Sequence, residues 1–520
     1  MKISKEKIIS QYDIFKNTAK KYLKADDIET SVKYIELCAR IGYKYNFRYA
    51  DDELENYIQQ ISKLISIEKL NFENEQNKIV FYDSFANNRV LTQQYLRAII
   101  SWGSDILYIT QQQTINEDIL DELSKYQKAT ILQISNLDTF KTKILNTVKT
   151  INTFKPTYAF LQFTPWDIIG ICLWNLVDNV ERYLINLTDH AYWIGKGCSD
   201  YFLEFRKYGC VISSKYRNIP IGKLLLQPYY PIQNRIEFQG FPVEKGSNYF
   251  AFTGAHFNKL YGAGGLFLKL IKSILENNKN VILLLAGSGN DKPIKAFIKK
   301  YNLNNKLIIL GDRKDIDQVM KHIDIYINSY PMMGGLMSQL AAVNNIPIVG
   351  YTDEALFSYN DVEDFLQSKS RGLLVKTTVA DFLSYFSQLI INDKERERNI
   401  NATKKCVISP EQFNILLLKN IQTKNHINKD LINGVIIDIN SVRDVYIDAE
   451  KNFIKDHYRI LWNTLRWQII KDHFVLGIWV VYNIIISRLI KLVKKTNRKK
   501  NIQSNVVATG NPAKNVKQLI

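Results

Sequence analysis

Residues 328–350 read NSYPMMGGLMSQLAAVNNIPIVG. A strand is expected to end at Asn328, the pair Gly334–Gly335 to make a turn, and a helix to begin near Leu336. Ile346–Gly350 then forms the next strand. Glycine lets a backbone approach a ligand closely. The first helical N–H groups have no intrahelical acceptor, and the helix dipole adds partial positive charge there. Such a turn suits a diphosphate, and Ser338 in the first turn is placed to add a hydroxyl. On two glycines alone, an ordinary strand–helix connection explains the stretch equally well.

The same rhythm extends in both directions. Before it come strands expected at Tyr249–Thr253, Val281–Ala286, Lys306–Leu310 and Ile323–Ile327, and after it one at Gly372–Val375, with helices between. An earlier series starts at Lys78–Tyr82 and continues through Ile106–Ile109, Ala129–Gln133, Tyr158–Phe163 and Ile185–Leu187. A helix is then expected from about Ser199 to Tyr208, followed by a strand at Cys210–Ser213. Alternating strands and helices imply an α/β fold with parallel sheets covered on both faces. Gln227–Gly246 contains Pro228, Pro231 and Pro242 and reads as a linker between the series. Two Rossmann-like doubly wound domains follow, with a cleft between the carboxyl ends of their strands, where open parallel sheets bind ligands. The expected boundaries are 1–75 for a helical N-terminal region, 76–245 and 246–425 for the two α/β domains, and 426–520 for a helical basic tail.

At 520 residues the chain exceeds one core, and 46% hydrophobic residues argue for packed domains. The N-terminal region shows apolar residues at three- and four-residue steps, and Ala19–Ala39 resembles a single tetratricopeptide-like hairpin. Ile469–Val493 is dense in large apolar residues, but its uninterrupted core is too short to span a bilayer. Arg488, Lys491, Lys494, Lys495, Arg498, Lys499 and Lys500 crowd its end. An apolar helix with a basic edge suggests a segment lying on an anionic membrane surface; a core helix packed on the body is the alternative. The net charge of +18 favours anionic partners. No nucleic-acid module is recognisable, so no nucleic-acid partner is expected.

Five cysteines without a CxxC spacing predict neither disulfides nor a zinc site, and a reducing, cytoplasmic compartment. The N-terminal stretch lacks a signal-peptide core. No HExxH or P-loop motif occurs, and Asp315-Ile316-Asp317 reads as a helix start rather than a metal motif. No metal and no cofactor are expected.

The glycine-turn stretch resembles the donor-phosphate motif of GT-B glycosyltransferases. Many of these carry two glutamates flanking the turn, where this chain has Met332 and Leu340. That departure speaks against the retaining subgroup that uses the pair, so the chain looks nearer to inverting enzymes similar to O-linked N-acetylglucosamine transferases. Phe252–Leu275, FTGAHFNKLYGAGGLFLKLIKSIL, resembles the first strand–loop–helix of the donor domain, with Lys259 where the family places a cation on the diphosphate. A cation there suits a leaving group that gains negative charge. Ile185–Arg217 contains DHAYWIG and resembles an element of bacterial GT-B and family-4-like transferases that build surface sugars. Histidine suits a general base, and either His190 or Asp189 could take that role; Asp200 is expected to order the following helix and Arg217 to approach phosphate. Tyr82–Ala98, YDSFANNRVLTQQYLRA, resembles the acceptor-facing first loop.

The resemblance covers roughly residues 78–420. It implies a metal-independent glycosyltransferase, inversion favoured, moving sugar from a nucleotide-sugar to a glycan or lipid-linked acceptor in surface polysaccharide biosynthesis; the basic apolar C-terminal helix suggests a place at the inner face of the cell membrane. His190 and Asp189 are the catalytic candidates. Lys259, Gly254, Gly334, Gly335, Leu336, Met337, Ser338, Asp312 and Arg313 are the donor-binding candidates. Asp83, Asn88, Arg89 and Gln94 are the acceptor-binding candidates. A nucleotide-sugar epimerase on the same scaffold and a non-catalytic sugar-nucleotide binder are the rival readings. The tail NVVATGNPAKNVK, 505–517, resembles the last segment of β-helix acyltransferases, but no hexapeptide repeats precede it, and no activity is assigned to it.

Overall fold

A computed structural model describes residues 4–65, 73–86, 89–233, 236–450 and 457–489. Two parallel sheets organise it. The first holds β1 (Lys78–Asp83), β2 (Asp105–Thr110), β3 (Ala129–Gln133), β4 (Tyr158–Gln162), β5 (Glu181–Ile185), β6 (Tyr201–Glu204) and β7 (Leu224–Leu226), in the order β3-β2-β1-β4-β5-β6-β7. The second holds β8 (Tyr249–Gly254), β9 (Val281–Ala286), β10 (Leu307–Gly311), β11 (Ile325–Ile327), β12 (Ile348–Tyr351) and β13 (Val375–Lys376), in the order β10-β9-β8-β11-β12-β13. The strands are apolar because helices cover both faces; all six residues of β9 are buried. Strand order reverses between β1 and β4 in one sheet and between β8 and β11 in the other. Those are the positions where a doubly wound sheet opens a crevice for ligand.

One segment departs from the sequence reading. Tyr201–Glu204 is strand and Lys207–Arg217 is helix, the reverse of what its apolar run suggests. The helix has no capping side chain of its own at Arg206. Its first amides, Lys207 N and Tyr208 N, donate instead to the Asp364 carboxylate of the second domain at 3.2 and 3.0 Å. A start signal supplied from 157 residues away is invisible to local pattern. β5 runs from Glu181 to Ile185 and so shares only Ile185 with the expected strand Ile185–Leu187, and Leu224–Leu226 adds a short strand that the sequence pattern did not single out.

The N-terminal helices Lys5–Lys24, Ile28–Tyr45 and Asp52–Ile65 share a continuous apolar core with the first sheet. Ser4 and Asp27 cap the first two, through Lys7 N and Thr30 N. The helix Pro410–Thr423 follows the second domain in sequence yet packs on the first. Phe413, Leu417 and Ile421 sit in a core with Tyr95, Phe160 and Tyr183.

The C-terminal segment folds back on the N-terminal helices. Tyr22 and Tyr34 donate to Asp472 at 2.5 and 2.7 Å. A bend at His473 interrupts the apolar segment, and residues 474–489 form a further helix. Its Val480 is buried, whereas Phe474, Val475, Ile478, Tyr482, Ile485 and Leu489 are each more than half exposed and fall on one face. Between this helix and the N-terminal one lies an apolar groove of about 610 Å³, with Ile14, Phe15, Phe474 and Trp479 in its walls and Lys7 at its edge. No described helix is long and apolar enough to cross a membrane. Lys491 to Lys500 and the 505–517 tail lie outside the described residues. All five cysteines are free thiols.

Candidate functional site

β8 and β11 are parallel neighbours, so the loops that follow them leave the same edge of the second sheet. After β11, Gly334 N donates to Asn328 Oδ1 at 2.9 Å, and this closes the turn that opens the helix Gly335–Val343. The amides of Gly335, Leu336 and Met337 therefore form a helix N-terminus at the crevice. Gly335 is dictated by space: a Cβ there would overlap the Phe365 ring. Gly254, at the tip of β8, touches the same turn, since its Cβ would come within 2.8 Å of Met337 Cε. Ser338 is buried, and its hydroxyl donates back to the Gly334 carbonyl at 3.1 Å, so it braces the helix. Met332 and Leu340 are buried apolar residues packed in the domain's cores.

Lys259 sits in the turn Phe257–Leu260 that follows β8. Burial pushes its ammonium below the ordinary lysine value. Among the described residues no hydrogen bond or ion pair to the Lys259 ammonium is present to offset that cost; only its backbone amide is bonded, to His256 O at 2.9 Å. A desolvated cation without an anion nearby is a site that an anionic ligand would relieve. Asp312 is exposed beyond β10. Arg313 does not face the crevice freely: it pairs with Asp315 at 2.5 and 2.6 Å and donates to Gly240 O at 2.8 Å, tying down the linker. Asp315 accordingly makes no cap bond at its helix start; its carboxylate goes to Arg313 and to Gln239 N.

Across the crevice, the loop after β5 presents Asp189 and His190. Asp189 is buried; its Oδ2 accepts from Arg206 Nε at 2.5 Å and its Oδ1 lies 3.1 Å from His190 Nδ1. Burial alone would raise this carboxyl, but the Arg206 guanidinium, with His190, holds it down at about 2. Arg206 also donates to Tyr359 O of the second domain at 2.8 Å, and the His190 and Tyr359 rings lie 6.4 Å apart. The dyad thus faces the donor domain across the interdomain seam.

The loop is braced from three sides. Arg217 is buried and donates to the carbonyls of Thr188, Asp189 and Ala191 at 2.9, 3.2 and 2.7 Å. It is a backbone clamp, not the phosphate ligand the sequence suggested. Asn46, from the N-terminal region, donates to His190 O at 2.9 Å and accepts from Tyr192 N at 3.0 Å. Glu55 accepts from the amides of Gly195, Lys196 and Gly197. Asp200 orders no following helix; it forms a two-pronged pair with Arg182 at 2.9 Å. Arg206, Asn46 and Glu55 escaped sequence reading because their partners are remote in the chain.

The acceptor candidates are spent internally or lie out of view. Asp83 accepts from Phe85 N, Ala86 N, Thr92 Oγ1 and Tyr108 Oη at 2.9–3.0 Å, while burial raises its carboxyl. Gln94 is buried, with its amide bonded to the Tyr230 backbone at 2.7 and 3.3 Å. Asn88 and the side chain of Arg89 lie outside the described residues.

Comparison with known proteins bears on the fold and on the second domain. Residues 235–406 match the family model described as glycosyl transferases group 1. No curated protein sequence matches significantly. Among solved structures, a glycosyltransferase from Rickettsia africae superposes with a TM-score of 0.51 at 12% identity, covering 70% of this chain and 100% of that one. The Anabaena protein HepE, solved in complex with UDP and glucose, superposes with a TM-score of 0.50 at 12% identity, covering 67% and 100%. These likenesses establish the two-domain fold, and the family match falls on the domain that holds Lys259 and the glycine turn. The second domain therefore matches the group 1 glycosyltransferases, and the two sheets together have the GT-B fold of the glycosyltransferases on which they superpose.

Proposed function

We propose that the donor is a UDP-sugar held at the β8–β11 crevice, and that the acceptor is a glycan or lipid-linked hydroxyl presented at an anionic membrane face. The observation that carries this is Lys259, a desolvated ammonium on the same sheet edge as a helix N-terminus. Together they meet the charge that builds on a departing nucleoside diphosphate. The reading requires neither metal nor cofactor. Of the two base candidates, His190 fits better: Asp189 is too weakly basic and both its oxygens are engaged. Removal of the acceptor proton by His190 would accompany direct displacement with inversion, and proton NMR of the product's anomeric centre reads that outcome.

Lys259→Ala is expected to weaken UDP affinity about 10–100-fold, the range for loss of a charge-assisted contact. Calorimetric titration measures it, and undiminished affinity would remove Lys259 from the phosphate site. Because the ammonium titrates below its ordinary value, UDP affinity is also expected to fall as pH rises at a lower pH than for a solvated lysine. UDP release that depends on added acceptor supports transfer. Donor conversion without acceptor would favour an epimerase instead, and binding without turnover a non-catalytic binder.

Peripheral association at the cytoplasmic face rests on the open apolar face of helix 474–489 and the basic sequence after it. Burial of one large apolar side chain contributes about 1.5–3 kcal/mol. The double substitution Phe474→Asp, Ile478→Asp is therefore expected to abolish sedimentation with phosphatidylglycerol-containing vesicles while leaving UDP affinity intact. Equal binding of variant and wild type would remove this helix from the membrane contact.

A further inference from the structure

A second cavity, of about 360 Å³, opens between the N-terminal helix Ile28–Tyr45 and the carboxyl ends of β1, β2 and β4. We infer that it is a subsite for an uncharged sugar ring of the acceptor, at a distance from the reacting hydroxyl. The inference rests on the transferase reading above and assigns the N-terminal helix a part in choosing the acceptor.

Position is the first argument. β1 and β4 flank the strand-order reversal of the first sheet, the counterpart of the donor crevice in the second. The volume falls in the range of small-ligand pockets, roughly 300–1,000 Å³. The walls supply the second argument. Trp166 offers an indole, the group that packs against the C–H face of a pyranose. Its orientation is fixed by the Arg40 guanidinium 4.5 Å from its ring centroid and by Tyr43 edge-on at 5.4 Å. Around it stand planar polar groups already held in place. Asp167 accepts from Gln111 Nε2 at 2.6 Å, Gly170 N at 2.8 Å and Tyr82 Oη at 2.9 Å. Gln112 Nε2 donates to Ser84 O at 2.9 Å. The amide oxygens of both glutamines remain as acceptors for hydroxyls.

Charge decides the class of ligand. Arg40 Nε donates to Glu36 Oε1 at 2.7 Å, so the cation on this wall is neutralised by its neighbour. With Asp167 below, the cavity lacks the surplus positive charge that a phosphate or carboxylate would need. Hydroxyls beside an aromatic face fit it instead. The helix also joins the cavity to the catalytic loop. Arg40 lies six residues before Asn46, which holds His190, and six residues of helix span about 9 Å. An acceptor longer than one ring would touch both.

The test is saturation-transfer NMR and calorimetry on the full chain with lactose, cellobiose, maltose and chitobiose, with UDP titrated in parallel. At least one disaccharide is expected to bind the wild type. Trp166→Ala and Arg40→Ala should each weaken it about tenfold or more, Trp166→Phe should retain most of the binding, and UDP affinity should be unchanged throughout. Disaccharide binding that is indifferent to Trp166→Ala, or UDP binding with no disaccharide bound, overturns the subsite. Loss of UDP binding by the wild type itself would instead sink the donor reading, and the disaccharide titrations still judge the cavity.

Discussion

An alanine at position 190 is expected to slow sugar transfer roughly 10²–10⁴-fold, the usual contribution of a positioned acid–base group, while UDP affinity stays at the wild-type value. The geometry sets both halves of that expectation. Asp189, held at about 2, remains a carboxylate at any working pH and accepts from His190 Nδ1. That bond selects the tautomer with Nε2 as the basic nitrogen. His190 contributes from the first domain, whereas the proposed diphosphate contacts come from the second, so turnover and donor affinity separate. The measurement is kcat at saturating UDP-sugar and acceptor, alongside UDP titration. Turnover near wild type would mean that another group removes the proton.

The largest stability effect is expected from Arg206→Ala. It would leave the Asp189 carboxylate buried without its main partner, a change that typically costs about 3–5 kcal/mol. The pH dependence should change sign as well. In the wild type the folded Asp189 value, about 2, lies below that of an unfolded aspartate, about 3.9. Its contribution is therefore present above pH 4 and is lost as pH falls toward 2. Without Arg206, burial dominates and raises the folded value above the unfolded one. Stability is then lost as pH rises through the carboxylate range, and the variant should be firmer in mild acid than at neutrality. Denaturant melts at pH 5 and pH 7.5 decide this. A variant that loses stability equally at both would show that the pair is not what keeps Asp189 charged. Arg206→Leu combined with Asp189→Asn should recover much of the loss, because no unpaired charge is left inside.

The fold was legible because buried parallel strands are short apolar runs, and β8, β9 and β12 each begin within two residues of where the sequence places them. The failure at Tyr201–Arg217 has a physical cause: the helix start is capped by Asp364 from the other domain. At the site, Asp189, His190, Lys259 and the glycine turn carried local motifs. Their supports did not. Arg217 reads in sequence as a phosphate ligand, yet its guanidinium donates to three loop carbonyls. Asp83 and Gln94 look like loop ligands, yet their polar atoms close local turns and a linker. Trp166 and Arg40 stand more than a hundred residues apart, and only the packed N-terminal helix brings them to one cavity.

The helix Pro410–Thr423 bears on how the protein is made. Phe413 meets Tyr95 and Tyr230 with ring centroids 5.1 and 5.3 Å apart, and Gln227 donates to its carbonyl at 3.2 Å. A ribosome that has finished the first sheet has yet to synthesise this part of its cover. The earlier lobe therefore emerges with an apolar flank still open, and it is sealed only after the whole later lobe has followed it out of the exit tunnel.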